Sequence, residues 1–232
     1  MSDEYRFREI IPIMWKKIED KNVDFILITG DVVYVDDFQF VQRQKANSYD
    51  IWQRYIDAFQ IIPVFHWKNL KPIFSTWDDH DYGTNDSDKN FISKDITNNL
   101  YHALFFGENY KNIIKHGPTG VSREFHLFGQ NFYLMDDRFE REEDKGHQND
   151  QYGHWGKNQH QWLIEQLKNN QGPSYIVNGN QLLSGTDLSF KEAMLSNHTA
   201  EFKLLMQELK NYQSPVAFLS GDVHFSEIME YP

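Results

Sequence analysis

Short apolar runs alternate with helix-period stretches along most of this chain, and that alternation confines it to an α/β layered fold. Asp24–Thr29 (DFILIT), Lys71–Trp77, Ser174–Asn178 and Pro215–Ser220 are the strand-like runs. Ile11–Asp20 reads as a helix, with Pro12 in its first turn and Met14, Trp15 and Ile18 on one face. Ser48–Gln60 sets Trp52, Tyr55, Ile56 and Phe59 at helical spacing. Helices are also expected over Asn90–Phe106, Lys157–Asn169 (Trp162, Leu163 and Leu167 inward) and Ala200–Asn211. Ser122–Phe128 and Asn131–Met135 flank Gly129-Gln130, a hairpin signal that makes the sheet mixed rather than purely parallel. The polar, glycine-containing segment Asp136–Trp155 is expected to be a long surface loop. No repeat, low-complexity tract or Gly/Ser linker interrupts the pattern, so residues 1–232 read as a single domain.

Three of the apolar runs empty into acidic or histidine-bearing tips: Gly30-Asp31, Asp78-Asp79-His80-Asp81 and Gly221-Asp222-Val223-His224. Ligands of open α/β sheets bind beyond the carboxyl ends of the strands, so tips far apart in sequence can converge. Glycine before Asp31 and Asp222 permits a tight turn that points each carboxylate along its strand. Clustered carboxylates raise one another's pKa, and a bound cation removes the conflict while acidifying water. Each tip also has a plain alternative. A Gly-Asp pair after a strand is commonly a turn, Asp78-Asp79 can cap a helix, and His224 can be a satisfied histidine. Asp222 and His224, two residues apart, share one side of an extended segment.

Composition narrows the function. The net charge is −11, from 34 acidic and 23 basic residues, which argues against a broad nucleic-acid-binding surface. With no cysteine there is neither a disulfide nor a thiolate ligand, so any metal must take oxygen and imidazole. Aromatic residues reach 16%, so burial is carried by large rings. No apolar run approaches a membrane span, and the charged Met1–Ile10 lacks the apolar core of a signal peptide. Phosphate-loop, G-x-G-x-x-G and G-x-S-x-G patterns are absent, which disfavours nucleotide-loop and serine-hydrolase chemistry.

Gly30-Asp31-Val32-Val33-Tyr34, the block from Trp77 to Asp86 (WDDHDYGTND) and Ser220-Gly221-Asp222-Val223-His224 resemble the motifs of the PhoD-like alkaline phosphatase family, within the calcineurin-like metallophosphoesterase superfamily. Met135-Asp136-Asp137-Arg138, Gln159 with Trp162-Leu163, and Gly179-Asn180-Gln181 are lesser matches. The resemblance implies two mixed β-sheets in a sandwich flanked by helices. It implies phosphate mono- or diester hydrolysis by metal-activated hydroxide, with two or more ions, calcium with iron or another divalent metal. By position, Asp31 corresponds to a carboxylate shared between metals, and Asp79, Asp222 and His224 to further ligands. Tyr34 matches either a phenolate ligand or a core tyrosine, and His80 either a catalytic histidine that protonates the leaving oxygen or stabilises the transition state, or a hydrogen-bonded loop histidine. Asn85 and Asp86 correspond to a calcium shell or an Asx-turn, and Arg138 to a phosphate clamp or a surface ion pair. Gln181, beside Asn180, offers at most an amide to substrate or metal.

The family's first metal motif, which often holds a cysteine, lies upstream of the GD-x-x-Y block, and this chain ends eight residues after His224. The chain is therefore expected to be clipped at both ends, and an inactive metal-binding remnant is the alternative to a hydrolase. The resemblance also implies a periplasmic, extracellular or cell-surface location. Trp52, Trp67, Trp77, Trp155 and Trp162 are expected to anchor core or loops, and His154, His160 and His198 to lie on the surface.

Overall fold

In the computed structural model, which describes residues 13–36, 48–106, 113–184, 193–224 and 226–230, the first apolar run forms strand β1 (Ile26–Thr29). It pairs in parallel with β2 (Ile73–Thr76). A second sheet holds β3 (Ile114–His116), β4 (Arg123–Leu127), β5 (Gln130–Leu134), β6 (Ser174–Val177) and β7 (Val216–Leu219) in that spatial order. Its β3–β4 and β4–β5 pairs are antiparallel, while β5–β6 and β6–β7 are parallel. The fold is thus mixed α/β, as the sequence pattern predicts, with the two sheets that the resemblance implied; the five-stranded sheet is mixed, whereas the β1–β2 pair is parallel.

Alternation along β1 explains the layering. Ile26 and Ile28 face a helix-side core with Ile51 and Tyr55 of helix Ser48–Ile61 and Tyr101 and Phe105 of helix Lys94–Phe105. Phe25 and Leu27 face the other sheet. Between the sheets, phenylalanines stack: Phe74 on Phe125 at 3.9 Å between ring centroids, and Phe125 on Phe132 at 4.7 Å. The outer face of the five-stranded sheet packs Tyr133 and Ile176 against Leu163 and Leu167 of helix Lys157–Asn169, and Phe202 and Leu205 of helix Thr199–Leu209. Helix, sheet, sheet, helix is the resulting order. Among the described residues, no helix is long and apolar enough to cross a membrane.

Several expectations need correction. The β4–β5 turn is made by Phe128 and Gly129, both at positive φ (54° and 75°), with Gln130 already paired to Leu127. That is the backbone a two-residue primed turn demands. The helix expected from Asn90 starts at Lys94, and β3 was not anticipated. Residues 13–19 are helical, whereas Pro12 lies outside the described residues. Asp136–Trp155 is irregular, and Glu142–Tyr152 lies at the surface as expected, but Asp136, Asp137, Arg138, Arg141, His154 and Trp155 are buried. Trp77 and Trp155 are core residues, while Trp52 is 44% exposed.

His154, His160 and His198 are buried rather than superficial, because acidic and basic partners come inside with them. Arg141 donates to His154 Nδ1 at 3.1 Å, and His198 lies 3.3 Å from Asp144. His160 bridges two carboxylates, Nδ1 to Glu201 at 3.0 Å and Nε2 to Glu208 at 2.9 Å, and so ties helix Lys157–Asn169 to helix Thr199–Leu209. Burial lowers the pKa of His160, but the Glu201 and Glu208 carboxylates outweigh it and the net shift is upward. A raised histidine pKa contributes stability that is fully present below about pH 6.5 and is lost as pH rises through the folded-state value. His160→Gln is therefore expected to cost about 3 kcal/mol at pH 6 and clearly less at pH 9. Urea unfolding of both proteins at the two pH values tests this, and an equal cost at both contradicts the assignment.

Candidate metal centre

The three tips meet beyond the carboxyl ends of β1, β2 and β7. Gly30 has φ 86°, and a side-chain carbon there would lie 2.5 Å from Cβ of Asp78, so only glycine lets β1 and β2 turn past each other. A Cβ at Gly221 would strike the carbonyl of Thr29, and the Gly221 amide donates to the Gly179 carbonyl at 2.7 Å. Thr76 Oγ1 donates to the Met135 carbonyl at 2.5 Å, closing β2 onto the end of β5. Asp31 and Asp222, each following its glycine, adopt positive φ (55° and 68°). Aspartate is among the few side chains that tolerate this conformation.

These turns bring carboxylates together. Oxygens of Asp31, Asp78 and Asp222 lie within 4.8 Å of one another, and so do ligand atoms of Asp31, Asp79 and His80. Asp31 is common to both groups. Oδ1 of Asp31, Oδ2 of Asp78 and Oδ1 of Asp79 are buried and accept no hydrogen bond. Asp79 Oδ1 has only a 3.9 Å charge contact with Arg138. Buried polar atoms are ordinarily satisfied, so orphaned anionic oxygens converging on one place fit a cation. Burial, then the Asp79 and Asp81 charges, push Asp31 up to about 8. Burial also holds Asp78 well above the carboxylate range, against the pull of Arg138. Acidic clustering of this kind is compatible with metal binding.

Supporting groups fix the set. The Arg138 guanidinium is fully buried; Nε donates to Asp78 Oδ1 at 2.7 Å, and Nη2 also donates to that oxygen. The Asp86 amide donates to Asp79 Oδ2 at 2.7 Å. His80 Nδ1 lies 2.8 Å from Asp36 Oδ1, and the Asn85 amide donates to Asp36 Oδ2 at 3.0 Å. The Tyr34 ring covers the His80 imidazole, 4.3 Å between centroids. Burial lowers the His80 pKa, but the Asp36 hydrogen bond and the Asp79, Asp36 and Asp31 charges carry it up to about 9.

The structure thus brings together Asp31, Asp79, Asp222 and His80, with Tyr34 beside His80. His224 is exposed and belongs to neither group. Asn85 and Asp86 are exposed and contribute backbone amides that orient Asp36 and Asp79. Arg138 is neither an exposed clamp nor a surface ion pair, because Asp78 draws its guanidinium into the interior. Gln181 is buried with Nε2 on Glu227 at 3.1 Å and Oε1 without a hydrogen bond. The adjacent Asn180 is tied through its amide to Asp137 at 2.8 Å. Asp78 is the N-cap of helix Asp79–Tyr82, as the sequence allowed, and also joins the group of Asp31 and Asp222, a ligand role that sequence reasoning did not give it; Asp36 was missed. Asp78 sits in the same acidic block as Asp79, but nothing in the sequence singles out Asp36.

No family model and no curated protein matches this chain. Among solved structures, "Structure of PhoD" is similar with a TM-score of 0.67 at 17% identity, over 90% of this chain and 48% of that one. The chain therefore spans about half the length of that neighbour. A likeness at this level of identity speaks to architecture alone: the two sheets and their helices are arranged as in that structure.

Proposed function

We propose that this protein hydrolyses phosphate esters at a centre of two or more cations held by Asp31, Asp78, Asp79 and Asp222. The observation that carries the proposal is the convergence of orphaned carboxylate oxygens on both sides of Asp31, the one residue common to the two ligand groups. Oxygen donors suit calcium or another divalent ion. Bound cations supply positive charge for the phosphoryl oxygens and lower the pKa of water at the site.

The chain's own residues do the rest. Asp36 accepts the Nδ1 proton of His80 and fixes the ring, and Tyr34 packs on its face. An imidazolium so held can pair with a phosphoryl oxygen and give its proton to the departing alkoxide. Once cations offset the charges of Asp79 and Asp31, the Asp36 carboxylate remains to favour the protonated ring.

The test is hydrolysis of chromogenic phosphate mono- and diesters by the chelated protein after calcium, manganese or iron is restored. Metal-restored turnover is expected. A folded protein that binds metal yet stays silent on every ester would instead identify a metal-binding remnant, the reading that the outlying position of His224 favours.

A further inference from the structure

Asp81 belongs to the same acidic block as Asp78 and Asp79, yet its bonding is of another kind. Oδ1 accepts the amides of Val32 at 3.0 Å and Val33 at 2.7 Å, and Oδ2 those of Asp31 at 2.6 Å and Asp78 at 3.1 Å. A carboxylate offers about four lone-pair sites, so these donors fill it. Its neighbours instead carry orphaned oxygens. Asp81 is therefore unsuited to be a ligand although it is buried beside the ligands.

The donors have a pattern. Gly30 and Asp31 both have positive φ, and the three successive amides that follow Gly30 converge on one anion. Such a backbone nest ordinarily cradles a bound phosphate or similar ion. Here a side chain from the short helix Asp79–Tyr82 fills it. A non-glycine residue in the left-handed region persists only where its surroundings over-determine it. Two more bonds stitch the same segments: the Val35 amide to the His80 carbonyl at 2.9 Å, and the Tyr55 hydroxyl to the Asp81 carbonyl at 2.8 Å.

We infer that Asp81 is a positioning residue that locks the Gly30–Val33 turn, and with it the shared carboxylate of Asp31, in ligating geometry before any cation arrives. The inference rests on the metal-centre reading of Asp31. Its test has two arms, both using Asp81→Asn, which keeps the shape but replaces one acceptor oxygen with a donor.

In the first arm, hydrogen exchange of the metal-free proteins is followed by NMR. In the wild type the amides of Asp31, Val32 and Val33 are protected like those of β1, and in the variant they exchange at least about tenfold faster. In the second arm, Mn²⁺ affinity falls about 10- to 100-fold in the variant, as for other groups that orient metal ligands. Unchanged affinity in a folded variant overturns the inference. So does wild-type protection that appears only when Mn²⁺ is added, a measurement that decides the matter even if the variant does not fold. A wild type that binds no Mn²⁺ refutes the metal centre instead, and the exchange arm then settles whether Asp81 locks the turn.

Discussion

Replacing Asp31 with asparagine is expected to remove metal-dependent turnover, by at least about 10³-fold, while leaving a folded protein. Both ligand groups lose their common member, so neither cation position is complete. The fold survives because the Asp31 backbone amide, not its side chain, is bound by Asp81. The metal-free variant should even be the more stable of the two at pH 8. Asp31 is pushed up to about 8 by burial and the neighbouring Asp79 and Asp81 charges. A carboxyl raised in this way contributes stability that is present below about pH 4 and is lost as pH rises through the folded value. Asparagine carries no such term. Steady-state kinetics with restored metal, together with urea unfolding after chelation at pH 5 and pH 8, test both halves. Activity retained in the variant would remove Asp31 from the centre.

Arg138→Met is expected to destabilise the metal-free protein by about 3–5 kcal/mol, because one partner of a buried ion pair is deleted and Asp78 is left without it. A phosphate clamp makes the opposite forecast: stability unchanged and KM raised. Urea unfolding after chelation distinguishes the two. If a cation takes up the charge of Asp78, added metal recovers part of the loss, since a ligand bound only to the native state shifts unfolding. A variant as stable as the wild type would mean that the guanidinium is not needed beneath the site.

Legibility in the sequence followed polarity. Helix Lys157–Asn169 begins and ends where expected, since Leu163, Ile164 and Leu167 are buried on one face of a mostly polar stretch and Gly156, at φ 74°, bounds it. Asp31, Asp79 and Asp222 were legible because each closes an apolar run. What polarity conceals is a polar group that goes inside with its partner. Arg138, read as a clamp or a surface ion pair, is buried on Asp78, and His160 and His154, expected at the surface, are buried with Glu201 and Glu208 and beside Arg141, partners distant in sequence. The cap reading of Asp78 holds, since it is the N-cap of helix Asp79–Tyr82; what period and propensity do not tell is that its carboxylate, like that of Asp79, also carries an orphaned oxygen.

The most direct measurement is a calorimetric titration of the chelated wild type with Mn²⁺ and with Ca²⁺, with metal content per chain and thermal midpoint read on the same samples. Saturable binding of about two ions is expected, with a raised midpoint equivalent to about 2.7 kcal/mol for each site at a hundredfold excess over its Kd, and with both signals lost in Asp31→Asn. A folded wild type that takes up neither ion and melts at the same temperature with or without them would contradict a cation centre at Asp31.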